Sequence, residues 1–290
     1  MSKLKTKKKI KTNTKSNVKA ITKTKSKTNI KTKINTKKHI KKNKTVFINF
    51  ATGSEDYMAA GNRLLNQAKQ SNLFDKLQLF TVKDLHNDKT FWSKHSKFIE
   101  NNKKGYGYWL WKPYIILKTM NTMKDGDVLL YADSGCEINY KNSKEMNLLK
   151  NYFNIVKKDK IIYSDTRKKE YIWSKMDLIK KLNMDNNKYT LSNQREATTI
   201  LFFNCNKTRA FVNEWYKICC NYHLIDDTPS ISKNLEGFIE NRHDQSVFSL
   251  LTKKYNFNSK LSLYKVIYTI RNRTGITKII NNSKKWYHHR

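Results

Sequence analysis

Four consecutive apolar residues, Val128 to Tyr131, interrupt a chain that is otherwise rich in lysine and asparagine. A strand with one exposed face alternates apolar and polar side chains, whereas an unbroken apolar run is typical of a strand buried on both faces. Such strands occur in largely parallel sheets that helices cover on both sides. The segment DVLLYAD, residues 127–133, therefore predicts a central strand of an α/β domain.

Strand-like and helix-like segments alternate on both sides of this run. Further strands are predicted over residues 45–53, 77–82, 161–165 and 198–206. Apolar residues at helical spacing lie between them and continue to the helix predicted in HDQSVFSLLTKKY. This alternation predicts a mixed, mainly parallel sheet flanked by helices and joined by right-handed crossovers.

The first 44 residues differ from the rest in composition. They contain 18 lysines and no acidic or aromatic residue, so half of the formal net charge of +36 lies in this tail. Its isolated apolar residues cannot bury enough surface to offset the entropy of ordering it. We therefore predict a disordered basic tail over 1–44, a single domain over 45–275 and a basic C-terminal extension over 276–290.

The positive charge leaves two interpretations of the tail open. It binds a polyanion such as nucleic acid, anionic lipid or glycan, or it is a solvated extension without a partner. The charge also leaves open that the chain is a nucleic-acid-binding protein, although no zinc-finger spacing or RNA-binding strand motif is present. With no secretory apolar stretch, no membrane-length run and no CxxC pair, we expect a cytoplasmic protein, in an infected host cell or virion if the chain is viral.

Polar residues directly after predicted strands are candidates for ligand binding, because ligands of open α/β sheets bind at the carboxyl ends of the strands. The candidates are Thr52, Gly53, Asp133, Ser134, Gly135 and Asp165. A carboxylate there can hold Mg²⁺ or Mn²⁺ against two phosphates. The alternative for Asp133 is a turn residue followed by glycine for geometric reasons.

Three stretches in order resemble a group of glycosyltransferases of the GT-A type, found in bacteria and large DNA viruses. They are GYGYWLWKPYIILKTM, DGDVLLYADSGCEIN and HDQSVFSLL. The resemblance covers roughly residues 45–275. It implies a GT-A-like, Rossmann-like domain that transfers a sugar from a nucleotide-diphosphate donor to a hydroxyl group of a glycan or protein acceptor.

The acidic motif departs from the family pattern. Asp133 matches the first Asp of the Asp-x-Asp signature, and Gly135 replaces the second, so dependence on Mn²⁺ or Mg²⁺ through Asp133 stays open. Glu137 follows two residues later and is not assigned as a ligand. By the resemblance, Thr52, Gly53, Ser134 and Gly135 lie at the donor.

The segment His243, Asp244, Gln245 resembles one that such enzymes place beneath the acceptor site. Asp244 is either the general base for the acceptor hydroxyl or only the N-cap of the following helix. His243 and Gln245 are expected to contact the acceptor. A catalytically inactive relative that binds glycan is a third functional alternative.

Basic side chains near these motifs are candidates for the donor diphosphate. Lys112 lies in an aromatic cluster, where we expect Trp109 and Trp111 to serve mainly in packing and the ammonium to bind phosphate. Arg63 is predicted on the first helix and offers a guanidinium fork that suits a diphosphate. Arg167 and Arg195 are weaker candidates of the same kind.

Overall fold

The computed structural model describes residues 43–279. The predicted tail over 1–44 and the end of the predicted extension therefore lie outside the described residues, apart from Asn43, Lys44 and 276–279. The strands are β1 (Thr45–Ala51), β2 (Lys76–Thr81), β3 (Val128–Ala132), β4 (Ile161–Ile162), β5 (Asp165–Lys169), β6 (Asn193–Arg195) and β7 (Thr199–Phe203). The helices are α1 (Glu55–Gln70), α2 (Val82–Asn87), α3 (Lys89–Asn101), α4 (Gly105–Tyr108), α5 (Trp111–Thr122), α6 (Ser143–Asp159), α7 (Glu170–Trp173), α8 (Met176–Lys181), α9 (Asn187–Thr190), α10 (Asn206–Cys219) and α11 (Asp244–Lys254).

Five strands form the central sheet in the order β2-β1-β3-β7-β4. β1 pairs in parallel with β2 and β3, whereas β7 is antiparallel to β3 and β4. The mixed, mainly parallel α/β sheet predicted from the sequence is thereby confirmed. Because β7 runs backwards, its first residue Thr199 pairs with Ala132 at the end of β3.

Both faces of β3 are covered, as its unbroken apolar run predicts. Leu129 and Tyr131 belong to the core cluster that includes residues of α5, α10 and α11. Val128 and Leu130 belong to the cluster on the opposite face, with residues of α1 and α6. All five residues of β3 are buried, so burial on both faces explains why the sequence signal is clear.

The predicted strand over 161–165 is divided in the structure. β4 ends at Ile162, and Asp165 begins β5, which pairs antiparallel with β6 in a separate two-stranded sheet. The residues of β5, DTRKK, are almost all exposed. A strand without a buried face has no apolar alternation, which is why the sequence pattern does not reveal it.

The carboxyl ends of β1 and β3 meet at one edge of the sheet. From β1 the chain continues to β2 on one side, and β3 lies on the other side of β1. This reversal of strand order is where open α/β sheets leave a crevice for ligands. No helix in the described part of the chain has the length and apolar character needed to cross a membrane.

Candidate functional site

A cleft of about 550 Å³ opens at this edge of the sheet. Its walls come from the segments after β1 and β3, from α4, from the start of α11 and from residues 269–273. The volume lies within the usual range for small-molecule and cofactor sites, about 300–1,000 Å³. The sheet topology therefore brings the three motifs of the sequence to one cavity.

The floor of the cleft holds one ammonium group between two carboxylates. Lys112 Nζ lies 3.2 Å from Asp133 Oδ1 and 3.3 Å from Asp244 Oδ2. It also donates a hydrogen bond to the carbonyl oxygen of Ala197 at 3.2 Å. Lys112 is 3% exposed, and its pKa is raised because the two carboxylates more than offset the effect of burial. The lysine is therefore charged at neutral pH.

Asp133 is held at both its backbone and its side chain. Its N–H donates to the carbonyl of Thr198 at 2.9 Å, and its Oδ1 accepts a hydrogen bond from the Tyr131 hydroxyl at 2.6 Å. Burial raises the pKa of Tyr131 well above 10, so this hydroxyl keeps its proton. Asp133 retains partial exposure to the cleft, with its side chain 31% accessible. One edge of the carboxylate is thus fixed, and the group is still exposed to the cleft.

Asp244 is the buried partner of this arrangement. Burial raises its pKa to about 7, Lys112 opposes the shift, and the charge of Asp133 adds to it. Its Oδ2 is inaccessible and accepts no aligned hydrogen bond from the described residues, so Lys112 is its electrostatic partner. A carboxyl with a pKa near the operating pH is suited to taking a proton from a hydroxyl group.

His243 is strained and held in place beside Asp244. Its backbone has φ 55° and ψ −127°, a sparsely populated region for a residue with a side chain. Burial lowers its pKa to about 4, so the ring is neutral and Nδ1–H donates to the carbonyl of Ile225 at 2.6 Å. The ring also stacks on Trp109, with the centroids 5.3 Å apart. These contacts fix the entry to α11 and hence the position of Asp244.

Gln245 lines the cleft, and its amide is hydrogen-bonded within the protein. Its Oε1 accepts from the N–H of Ala197 at 3.3 Å, and its Nε2 donates to Gln194 Oε1 at 2.7 Å. These bonds join α11 to β6 and to the segment between β6 and β7. An acceptor contact of His243 or Gln245 stays a prediction.

A left-handed turn forms one wall of the cleft. Five consecutive residues, Gly105 to Trp109, have φ between 52° and 82°. Their backbone hydrogen bonds are helical, as from Trp109 N–H to Gly105 O at 3.1 Å. Non-glycine residues in this conformation cost about 1–2 kcal/mol each, so the glycines at 105 and 107 limit the strain. The turn places Tyr106 and Trp109 in the cleft wall.

Trp111 packs within the protein and also contributes to the described lining of the cleft. It is 4% exposed and stacks on Phe50 at a centroid distance of 3.8 Å, and its indole N–H donates to Gly105 O at 2.9 Å. Trp109 is only partly buried and lines the cleft. It therefore offers an aromatic face to a ligand, a role that the sequence pattern does not favour.

The loop after β3 is tied to neighbouring segments by Ser134 and Arg63. The Ser134 hydroxyl donates to the Phe50 carbonyl at the end of β1. The Arg63 guanidinium is 5% exposed and donates to the carbonyls of Ser134 and Cys136, each at 3.0 Å. It also binds the carbonyl of Asn272 at 3.1 Å. Arg63 is not among the described residues that line the cleft, so it acts on the site through this loop.

Gly135 occupies a position that a side chain would disturb. A Cβ atom there would lie 3.0 Å from the Cα of Arg271, and the carbonyl of Gly135 accepts the N–H of Asn272 at 2.9 Å. The close approach of this backbone explains why position 135 is a glycine. Thr52 lines the cleft, whereas Gly53 is exposed and outside the described lining, and a Cβ atom added at Gly53 would meet no described atom within 4 Å.

Glu137 faces away from the cleft and anchors the end of the described chain. Its carboxylate accepts the N–H of Lys278 at 3.0 Å and that of Ile279 at 3.2 Å. It also accepts a hydrogen bond from the Asn272 side chain. Packing against the domain thus continues to Ile279, beyond residue 275. Both carboxylate oxygens of Glu137 are engaged in these contacts rather than in the cleft.

Arg271 and Arg273 line the cleft, and the sequence pattern predicts neither of them there. The Arg273 guanidinium lies over the Tyr57 ring at 5.3 Å. The segment RNR at 271–273 is visible as a basic cluster, but nothing local shows that it returns to β3. Asp165, Arg167 and Arg195, by contrast, are outside the described lining, and Arg195 donates to the carbonyl of Phe257 at 2.7 Å.

The charged residues in the described lining of the cleft are predominantly cationic. Six basic residues face three carboxylates. The basic residues are Lys103, Lys104, Lys112, Arg242, Arg271 and Arg273, and the carboxylates are Asp133, Glu240 and Asp244. With aromatic residues among them, this lining favours a ligand that combines phosphate with a ring.

Comparisons with known proteins add two solved structures of low similarity. No family model matches the chain, and no curated protein matches it. The apo form of mouse xyloside xylosyltransferase 1 aligns at 11% identity over 73% of this chain and 83% of its own, with a TM-score of 0.39. The apo WbbM bifunctional glycosyltransferase aligns at 13% identity over 73% of this chain and 38% of its own, with a TM-score of 0.35. TM-scores this low do not establish a shared fold, so the functional case rests on the cleft.

The side chains at the floor do not fit a divalent cation. The space between Asp133 and Asp244 is occupied by the Lys112 ammonium, Gly135 has no side chain, and Glu137 points elsewhere. A cation bound to Asp133 would lie about 4–5 Å from that ammonium, where an effective dielectric constant of about 20 gives a repulsion of about 7 kcal/mol. Lys112 is therefore the cation that pairs with both carboxylates.

Proposed function

We propose that this protein is a glycosyltransferase that moves a sugar from a nucleotide-diphosphate donor to a hydroxyl group of a glycan or protein acceptor. The observation that carries the proposal is the sharing of Lys112 by Asp133 and Asp244 at the floor of the cleft. The sequence resemblance to GT-A glycosyltransferases points the same way. A cleft at the strand-order reversal is also where nucleotide ligands of α/β sheets bind.

The lining matches the parts of such a donor. Trp109 and Tyr106 offer aromatic faces on which a base or sugar ring can stack. Arginine and lysine side chains supply charge for the diphosphate, whose departure is the costly step of the transfer. Asp133 presents a partly exposed carboxylate that accepts hydrogen bonds from sugar hydroxyls. Thr52 and Ser134 line the cleft beside Asp133.

Asp244 is the proposed base if the reaction inverts the anomeric configuration. The acceptor oxygen forms a bond to the anomeric carbon while the bond from that carbon to the phosphate oxygen breaks. The acceptor proton passes to the Asp244 carboxylate, and the electron pair leaves with the nucleoside diphosphate. If the configuration is retained, no such base is required and Asp244 binds the acceptor. Lys112 keeps both carboxylates in place in either case.

The test is a panel of UDP-, GDP- and CDP-sugars, with release of nucleoside diphosphate as the readout. We expect turnover with at least one donor and its loss in Asp133→Asn and Asp244→Asn. Asp165→Asn is the matched control, since Asp165 is a carboxylate at the start of β5 and lies outside the described lining of the cleft. It should keep full activity.

Two results would contradict the proposal in different ways. If no sugar nucleotide is turned over or bound, the cleft has another ligand. If sugar nucleotides or glycans bind and Asp133→Asn changes nothing, the protein is a glycan-binding relative without activity. Binding of nucleic acid by the full chain that is lost on removal of residues 1–44 would assign that property to the tail alone.

A further inference from the structure

We propose that the cleft binds the diphosphate of its donor without a divalent cation, with Lys112 held between the carboxylates and Arg271 and Arg273 contacting the phosphates. This inference rests on the proposed glycosyltransferase function. It begins from the misfit between the floor of the cleft and a metal ion. A diphosphate needs positive charge in any bound state, so the protein must provide it from side chains.

The position of Lys112 is the first argument. Its Nζ lies within 3.3 Å of a carboxylate oxygen on each side and is also bound to the carbonyl of Ala197. A divalent ion that bridged Asp133 and Asp244 would have to displace an ammonium that is itself buried. The Tyr131 hydroxyl further occupies Asp133 Oδ1 at 2.6 Å. The two carboxylates are thus already neutralised in part by the protein.

The path of the C-terminal segment is the second argument. The backbone of Arg271 crosses directly over Gly135, two residues from Asp133, and takes the space where a second acidic side chain would stand. The same crossing brings two arginines into the cleft wall. One feature of the fold therefore removes a metal ligand and adds guanidinium groups, which bind phosphate oxygens in a bidentate manner.

The crossing segment is anchored away from the cleft by buried contacts. Arg63 binds the carbonyls of Asn272 and Ser134, and Glu137 binds the N–H groups of Lys278 and Ile279. These bonds hold the segment against the loop after β3. Arg271 and Arg273 are thereby carried on a backbone fixed relative to Asp133.

The experiment is a calorimetric titration of the full chain with UDP, GDP and CDP, first in EDTA and then with Mn²⁺ or Mg²⁺. We expect at least one nucleotide to bind in EDTA, with an affinity that the metals change by less than about threefold. Arg273→Ala and Arg271→Asn should each weaken binding by roughly tenfold or more, as expected for loss of a charged hydrogen bond. Asparagine is chosen at 271 because it tolerates the φ of 51° there.

Arg167→Ala is the matched control, since Arg167 lies on the largely exposed β5 and outside the described lining of the cleft. It should bind as the native chain does. Binding that appears only with metal overturns this inference and leaves the glycosyltransferase function intact. Binding in EDTA that neither arginine variant weakens overturns the assignment of the arginines. Absence of binding in both buffers overturns the proposed function and this inference together.

Discussion

Asp244→Asn is expected to stabilise the protein at alkaline pH and to abolish turnover. A carboxyl whose pKa is higher in the folded chain holds its proton more tightly there. Its contribution to the free energy of unfolding is therefore greatest below about pH 4 and falls as the pH rises towards 7. The pKa of Asp244 is about 7 against a reference of 3.8. At about 1.4 kcal/mol per pH unit, this difference amounts to at most about 4 kcal/mol above pH 7.

The variant removes this penalty, because asparagine has the same shape and does not ionise. Lys112 then keeps Asp133 as its partner, so no unpaired charge is left behind. Between about pH 5 and about pH 8, the stability advantage of the variant should grow by about 2–3 kcal/mol. For a domain of this size, that is a difference in melting temperature of roughly 4–12 °C.

The assay is thermal unfolding of the native chain and the variant at several pH values over that range. Asp185→Asn serves as the control, since Asp185 is an exposed carboxylate outside the described lining of the cleft. A variant whose advantage stays constant with pH would refute the reasoning, because Asp244 would then ionise as easily in the folded chain as in the unfolded one. A variant less stable than the native chain at every pH would refute it as well.

The remaining predictions concern the same cleft. Lys112→Met should lower the free energy of unfolding by about 3–5 kcal/mol, because it leaves two carboxylates without their cation. In a double-mutant cycle measured by chemical denaturation, adding Asp244→Asn should restore part of the loss. Gly135→Ala should lower the free energy of unfolding by about 1–3 kcal/mol and weaken nucleotide binding, since its Cβ would meet the Arg271 backbone. A nucleotide affinity unchanged in titration calorimetry would show that the crossing segment can shift freely. Gly107→Ala should lower the free energy of unfolding by more than about 1 kcal/mol, because φ is +82° and its Cβ would lie 2.7 Å from a side-chain carbon of α3. A melting temperature equal to that of the native chain would argue against the left-handed turn.

The local sequence pattern is sufficient to predict a strand or helix wherever that element buries a contiguous set of side chains. β1, β3, β7 and the long helices α1, α6 and α10 follow their apolar spacing closely. β5 and β6 do not, because β5 is exposed and β6 has only three residues. For Gly105 to Trp109 the pattern predicts only a glycine-containing aromatic loop, since the left-handed sign of φ depends on contacts with distant residues.

The candidate site divides in the same way. Asp133 at the end of a buried strand and Asp244 at the start of a helix are local features, and both line the cleft. Their roles in a reaction stay predictions. The aromatic and basic pattern assigns Lys112 to phosphate, whereas the structure places its ammonium between the two carboxylates. That placement depends on the packing of α5 and α11 over the sheet, which no spacing in the chain encodes.

Residue pattern was enough to predict the α/β class and the central strand, because an unbroken apolar run is satisfied by burial on both faces. What these residues meet depends on the folded chain. The reversal of β7 brings Thr198 to Asp133, and the return of the C-terminal segment brings Arg271 across Gly135. Contacts between residues far apart in the chain depend on which surfaces pack together, and close packing selects them only once the whole core is assembled.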